Sequence, residues 1–207
     1  MSFCFFYDII YIGDYMIIEN NVTNILEIKK SKFITLLIKI DDINNVDKYL
    51  NDIKKEYKDA THYCYAYIID NYKKFSDDNE PGGTAGSPIM QVLEKNNLNY
   101  VLCIVIRYFG GIKLGAGGLV RAYSKSVVEC LNNSEIIKLV KGKNIIIKFN
   151  YDKINTIDNI LKDSLIINKC FDEVITYEVN IEEDTISKLE GVCDVIVNSD
   201  VYIEKSR

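Results

Sequence analysis

The sequence predicts an α+β protein in two parts, on three observations. Apolar residues repeat with strand and helix periods in alternation through the first 131 residues. An uninterrupted apolar run over 100–108 has the length of a strand buried on both faces. Beyond residue 145 the pattern reads strand, helix, strand, strand, helix, strand, the βαββαβ order of a small ferredoxin-like domain.

Taken in order, residues 1–20 look detached from the rest of the chain. Met16 is a candidate start, which makes the first fifteen residues an upstream extension. Residues 22–29 and 32–40 are β-rich and flank Lys30-Ser31, the signature of a hairpin. Val46, Leu50, Ile53 and Tyr57 then define one helical face. Over 61–70 the side chains alternate as in a strand: His62, Cys64 and Ala66 on one face, Tyr63, Tyr65 and Tyr67 on the other. The polar stretch 71–86 reads as loop. Ser87 as N-cap and Pro88 in the first turn predict a helix to about Asn96. After the strand at 100–108 comes a glycine-rich turn, then a helix over 119–131. Residues 138–144, with Gly142 among lysines, read as a linker. The elements beyond it are a strand (145–150), a helix (152–164), strands (165–172 and 173–181), a helix (182–190) and a strand (192–204). Ile175, Val179 and Ile181 mark one face of the second of those paired strands. The expected domains are therefore an extension (1–20), a first domain (21–137) and a small second domain (138–207).

Composition narrows the function classes. With 48% apolar and 11% aromatic residues among 207, the chain can bury a core. A formal charge of −5 argues against a uniformly basic nucleic-acid coat, though not against a local patch. Cys4, Cys64, Cys103, Cys130, Cys170 and Cys193 form no CxxC pair, as expected of thiols in a reducing cytoplasm. The apolar N-terminus carries Asp8 and Asp14 and has no basic leader. It fits neither a signal peptide nor a membrane span of about 20 apolar residues, so no membrane partner is expected.

Punctuation is concentrated in one segment. Both prolines, Pro81 and Pro88, and eight of the eleven glycines lie between 81 and 118. Glycine lets a backbone approach a partner closely, although two ordinary loops would also use it. From 95 to 128 there is no Asp or Glu, where the chain average predicts about five. Lys95, Arg107, Lys113, Arg121 and Lys125 are all basic. Of only three arginines beside 22 lysines, Arg107 and Arg121 bracket the glycine turn. Arginine's planar donor fork suits phosphate or carboxylate. Strand, glycine turn (Gly110, Gly111, Gly115, Gly117, Gly118) and helix start together predict an anion site. It is neither a P-loop nor a dinucleotide fingerprint. The plainer alternative pairs Arg107 with Asp77, Asp78 or Glu80 inside the fold.

The stretches FSDDNEPGGTAGSPIMQVLE (75–94) and RYFGGIKLGAGGLVRAYSKS (107–126), with ATHYCYAY (60–67) and EIKKSKF (27–33) in the right order, resemble the signature of the IMPACT/YigZ family. The likeness covers about 22–131, and the second half resembles the small C-terminal domain of the bacterial members. Asn79 and Gly82 stand where the family more often shows Gly and Ser, and Tyr63 stands within its H-x-C element. The resemblance implies a first domain of the ribosomal protein S5 second-domain type, shared with domain IV of elongation factor G. It implies a second, ferredoxin-like domain similar to those of the same factor. Eukaryotic members regulate translation by binding the activator of a starvation-sensing kinase. That role is not expected here, because the matched segment lacks the additional binding domain those members carry ahead of it. Bacterial members are implied to bind nucleic acid.

Two constellations could carry other chemistry. His62, the one histidine, shares a strand face with Cys64, but residues two apart on a strand are about 6–7 Å apart, awkward for a nucleophile pair. Ser76, Asp77, Asp78 and Glu80 could bind Mg²⁺, cap turns, or gate the basic loop so that neutralising Asp77 and Asp78 tightens RNA binding. The tyrosine stripe at 63, 65 and 67 could stack bases, or lie under a helix. The expected function is a non-enzymatic, cytoplasmic binder of RNA, the ribosome or translation factors, with no cofactor and no metal. Its phosphate contacts would be Arg107, Gly110, Gly111, Lys113, Gly115, Gly117, Gly118, Arg121 and Lys125. The alternative is a small-molecule phosphate or nucleotide enzyme, or regulator, using the same loop.

Overall fold

The computed structural model of the protein describes residues 14–205, so residues 1–13 of the expected 1–20 extension lie outside the described residues. The chain forms two compact units that divide between Ile137 and Lys138. Both are α+β with antiparallel sheets.

In the first unit a sheet runs β2 (Val22–Ile28), β3 (Ser31–Lys39), β6 (Val101–Tyr108), β4 (His62–Ile69), β5 (Tyr72–Ser76). Central β6 is buried from Val101 through Arg107, as its continuous apolar run requires. One face of the sheet (Phe33, Leu37, Cys64, Ala66, Val101, Cys103 and Val105) packs against α2 (Gly86–Lys95) and α3 (Ala116–Asn132). The opposite face (Ile34, Leu36, Ile38, Leu102, Ile104 and Ile106) packs against α1 (Val46–Glu56) through Val46 and Ile53. Tyr63, Tyr65 and Tyr67 belong to that second cluster, and the Tyr63 hydroxyl donates to the Tyr57 carbonyl at 2.6 Å. The tyrosine stripe is therefore core beneath a helix, not an open stacking surface.

Several elements differ from the expectations. Residues 15–20 are not detached: β1 (Tyr15–Ile18) buries Tyr15, Ile17 and Ile18, and Met16 exchanges backbone hydrogen bonds with Asn97 and Asn99. β5 lies in the stretch read as loop, because an exposed edge strand can be polar on both faces. Helix α2 starts at Gly86 without a side-chain cap of its own. Helix α3 starts at Ala116, so Gly117 and Gly118 form its first turn rather than a loop; their low helix propensity hid the start. The expected linker is strand: β7 spans Ile136–Phe149 without a break, and a Cβ on Gly142 would meet the Ile181 carbonyl oxygen at 2.6 Å.

The second unit orders its strands β10 (Asp194–Lys205), β7, β9 (Ile175–Glu182), β8 (Leu165–Phe171). Ile145, Ile147, Ile175, Tyr177, Val179 and Ile181 form its buried face with Ile157 of α4 (Ile154–Ile160) and Leu189 of α5 (Glu183–Leu189). Among the described residues, no helix is long and apolar enough to cross a membrane.

Candidate functional site

The two arginines that bracket the glycine turn occupy opposite environments. Arg107, at the end of β6, is buried and places Nη1 2.5 Å from Glu80 Oε1. That oxygen also accepts from the Tyr123 hydroxyl at 2.8 Å and lies 3.7 Å from His62 Nε2. Nη2 of Arg107 reaches Ser31 Oγ at 3.4 Å, its guanidinium lies 5.6 Å from the Phe33 and Phe109 ring centres, and its Nε has no partner among the described residues. A guanidinium so enclosed is neutralised within the fold and cannot join Arg121 in an open anion site. Glu80 is the acid that takes it, of the three the sequence offered.

Tyr123, absent from the expected site, holds the cluster to α3. It sits with Leu119, Val127 and Cys130 on the buried helix face, and its hydroxyl needs a polar partner there. That spacing of a tyrosine among apolar residues is the signal that could have found it. Cys64 Sγ approaches the same hydroxyl at 3.3 Å and the Asp77 carbonyl at 3.0 Å. Burial pushes the Cys64 thiol up to about 12. His62 Nδ1 must donate to the Asp78 carbonyl, 2.7 Å away, because a carbonyl oxygen can only accept. His62 and Cys64 thus serve separate partners and do not pair.

The acidic loop is turned inward. Oδ1 of Asp77 accepts from the amides of Ala85 (2.9 Å) and Gly86 (2.8 Å), and Oδ2 from Gly83 (2.8 Å), so Asp77 supplies the cap that Ser87 was expected to give. Oδ2 of Asp78 accepts from the Tyr63 amide at 2.6 Å, and Ser76 Oγ from the Asp78 amide at 3.2 Å. Asn79 has φ 67°, a left-handed conformation that Asn tolerates. Both aspartates face backbone amides, whereas the gating expectation had them facing the basic loop. Among the described residues, no group of three or more metal-ligating side chains forms.

Burial opposes the ionisation of Asp77, but its three amide partners outweigh burial and hold the carboxyl below its ordinary value of 3.8. A lowered folded-state value contributes stability that is complete above the ordinary value and lost as pH falls through the lowered one. Asp77→Asn is therefore expected to cost about 1 kcal/mol at neutral pH and to flatten the acid limb of the stability profile below the ordinary carboxylate value. Denaturant unfolding across that range checks it; identical acid limbs in the two proteins count against the role.

The basic segment faces outward. Lys113 and Arg121 are exposed, and neither has an ion-pair partner among the described residues, whereas Lys125 lies 3.6 Å from Glu129. Gly115 takes φ 72° as the N-cap of α3, and the amides of Ala116, Gly117 and Gly118 in the first turn have no carbonyl to bond within the helix. Gly110 has a different task. A Cβ there would meet the Lys30 carbonyl oxygen at 1.9 Å, so this glycine seats the loop on the β2–β3 turn.

Residues 29–131 match the Impact N-terminal domain. IMPACT family member YvyE of Bacillus subtilis (strain 168) is 36% identical over 192 residues, covering 86% of this chain and 88% of that protein. IMPACT family member YigZ of Escherichia coli (strain K12) is 33% identical over 165 residues, 76% of this chain and 81% of that protein. A crystal structure described as that of a hypothetical protein superposes with a TM-score of 0.60 at 27% identity, over 91% of this chain and 99% of the other. Identity at this level along most of both chains shows that the protein belongs to the IMPACT family.

Proposed function

We propose that the protein is a non-enzymatic RNA- or ribosome-associated factor in the regulation of translation, contacting phosphates through the 110–118 loop and the first turn of α3. The observation that carries this reading is the acid-free stretch from 95 to 128. Within it, Lys113 and Arg121 stand exposed without ionic partners among the described residues, beside amides at the positive end of a 17-residue helix. Arg107 does not take part. A thiol pushed up to about 12 speaks against Cys64 as a nucleophile. We assign the first unit to the ribosomal protein S5 second-domain type. The second we assign to the ferredoxin-like type, which its strand order supports, since β7 lies between β9 and β10.

Removing one group that binds a phosphate should lower the log–log salt slope of binding by about 0.7–0.9. Lys113→Ala and Arg121→Ala are each expected to do so when co-sedimentation with ribosomes is followed as salt is raised. If both variants keep the affinity and slope of the unaltered protein, the site assignment is wrong. Selective thermal stabilisation by a single nucleotide, with no ribosome association, would favour a small-molecule ligand instead.

A further inference from the structure

We infer that the ligand of this surface is unpaired RNA, with Phe109 as the platform on which one base stacks; the inference rests on the RNA reading above. Phe109 is the first residue beyond β6 and is 46% exposed. It belongs to none of the three hydrophobic clusters, so the fold does not bury it for stability. Yet its backbone is fixed on both sides. The Phe109 amide donates to Thr61 Oγ1 at 2.9 Å, and the Gly110 amide to Ser31 Oγ at 3.2 Å. Gly110 is itself seated against Lys30, where no side chain fits. Arg107, held by Glu80, lies 5.6 Å from the ring centre and supports it from within. An aromatic ring on an immobilised backbone loses little conformational freedom when a base covers it.

Charge decides what kind of partner covers the ring. In sequence Phe109 lies inside the acid-free stretch, two residues after Arg107 and four before the exposed Lys113. A polyanion that also presents flat apolar faces meets both requirements. Duplex RNA presents phosphates, but its bases are already stacked on one another. Unpaired nucleotides offer phosphate and a free base face together.

The full chain should be titrated with a short oligouridylate and with a blunt-ended A-form RNA duplex that has no unpaired nucleotides, both followed by fluorescence anisotropy. Phe109→Ala is expected to weaken oligouridylate binding roughly 5- to 150-fold while leaving its salt slope and the duplex affinity unchanged. Phe109→Leu should lose as much, because it keeps apolar area without a π face, and Phe109→Tyr should restore binding. Phe109→Tyr should unfold at the denaturant midpoint of the unaltered protein, and all three variants should keep a single cooperative unfolding transition, since the ring is outside the three hydrophobic clusters. Undiminished oligouridylate affinity in Phe109→Ala, equal loss for both RNAs, or full affinity in Phe109→Leu overturns the inference. In each of those cases the phosphate reading survives if Lys113→Ala and Arg121→Ala still reduce the slope. If the unaltered protein binds neither RNA, that reading falls and takes this inference with it.

Discussion

Arg107→Ala is expected to destabilise the first unit by about 3–5 kcal/mol, whereas Arg121→Ala should shift stability by no more than about 0.5 kcal/mol. The difference comes from what each change leaves behind. Glu80 is buried with Arg107, and its Oε1 is shared by the guanidinium and the Tyr123 hydroxyl. Removing the cation strands a carboxylate that water cannot reach, while Arg121 leaves behind only solvent. Chemical denaturation of the two variants measures the contrast directly. Glu80→Gln combined with Arg107→Met should recover much of the loss, because neither group is then an uncompensated charge. Should Arg107→Ala unfold within about 1 kcal/mol of the unaltered protein, the buried pair is not what anchors the acidic loop to β6 and α3.

That split between the arginines also marks where the sequence stops being informative. Central β6 was legible because a strand buried on both faces must be apolar throughout. Helix α1 was legible because Val46, Leu50, Ile53 and Tyr57 keep a helical period. β5 was not, since Tyr72–Ser76 is an edge strand with four exposed residues and no pattern to read. Nor was the continuity of β7, whose lysines at 138, 141 and 143 resemble the polar composition of a linker. The pairing of Glu80 with Arg107 spans 27 residues of chain. Asp77, Asp78 and Glu80 are equivalent acids in sequence. Only the turn between them sends the first two to backbone amides and the third into the core.

The same distinction separates the glycines, and two substitutions expose it. Gly110→Ala is expected to cost about 3 kcal/mol or more, because its Cβ would lie 1.9 Å from the Lys30 carbonyl oxygen and 2.5 Å from the Ser31 nitrogen. Those are backbone atoms of the β2–β3 turn, where Lys29 and Lys30 already hold φ of 48° and 66°, so the neighbour cannot simply rotate away. Gly117→Ala should do the reverse. Nothing lies within 4 Å of its Cβ position, and it sits in the first turn of α3, so alanine is expected to add about 0.4–1 kcal/mol of stability. If the amides of that turn receive phosphate, however, the new methyl group stands in the ligand's path. RNA affinity should then fall while the denaturant midpoint rises. A stability change alone cannot lower affinity in that direction, so the two readouts together isolate the contact. If Gly117→Ala is more stable and binds RNA as well as the unaltered protein, the helix start is not the phosphate site, whatever Lys113 and Arg121 contribute.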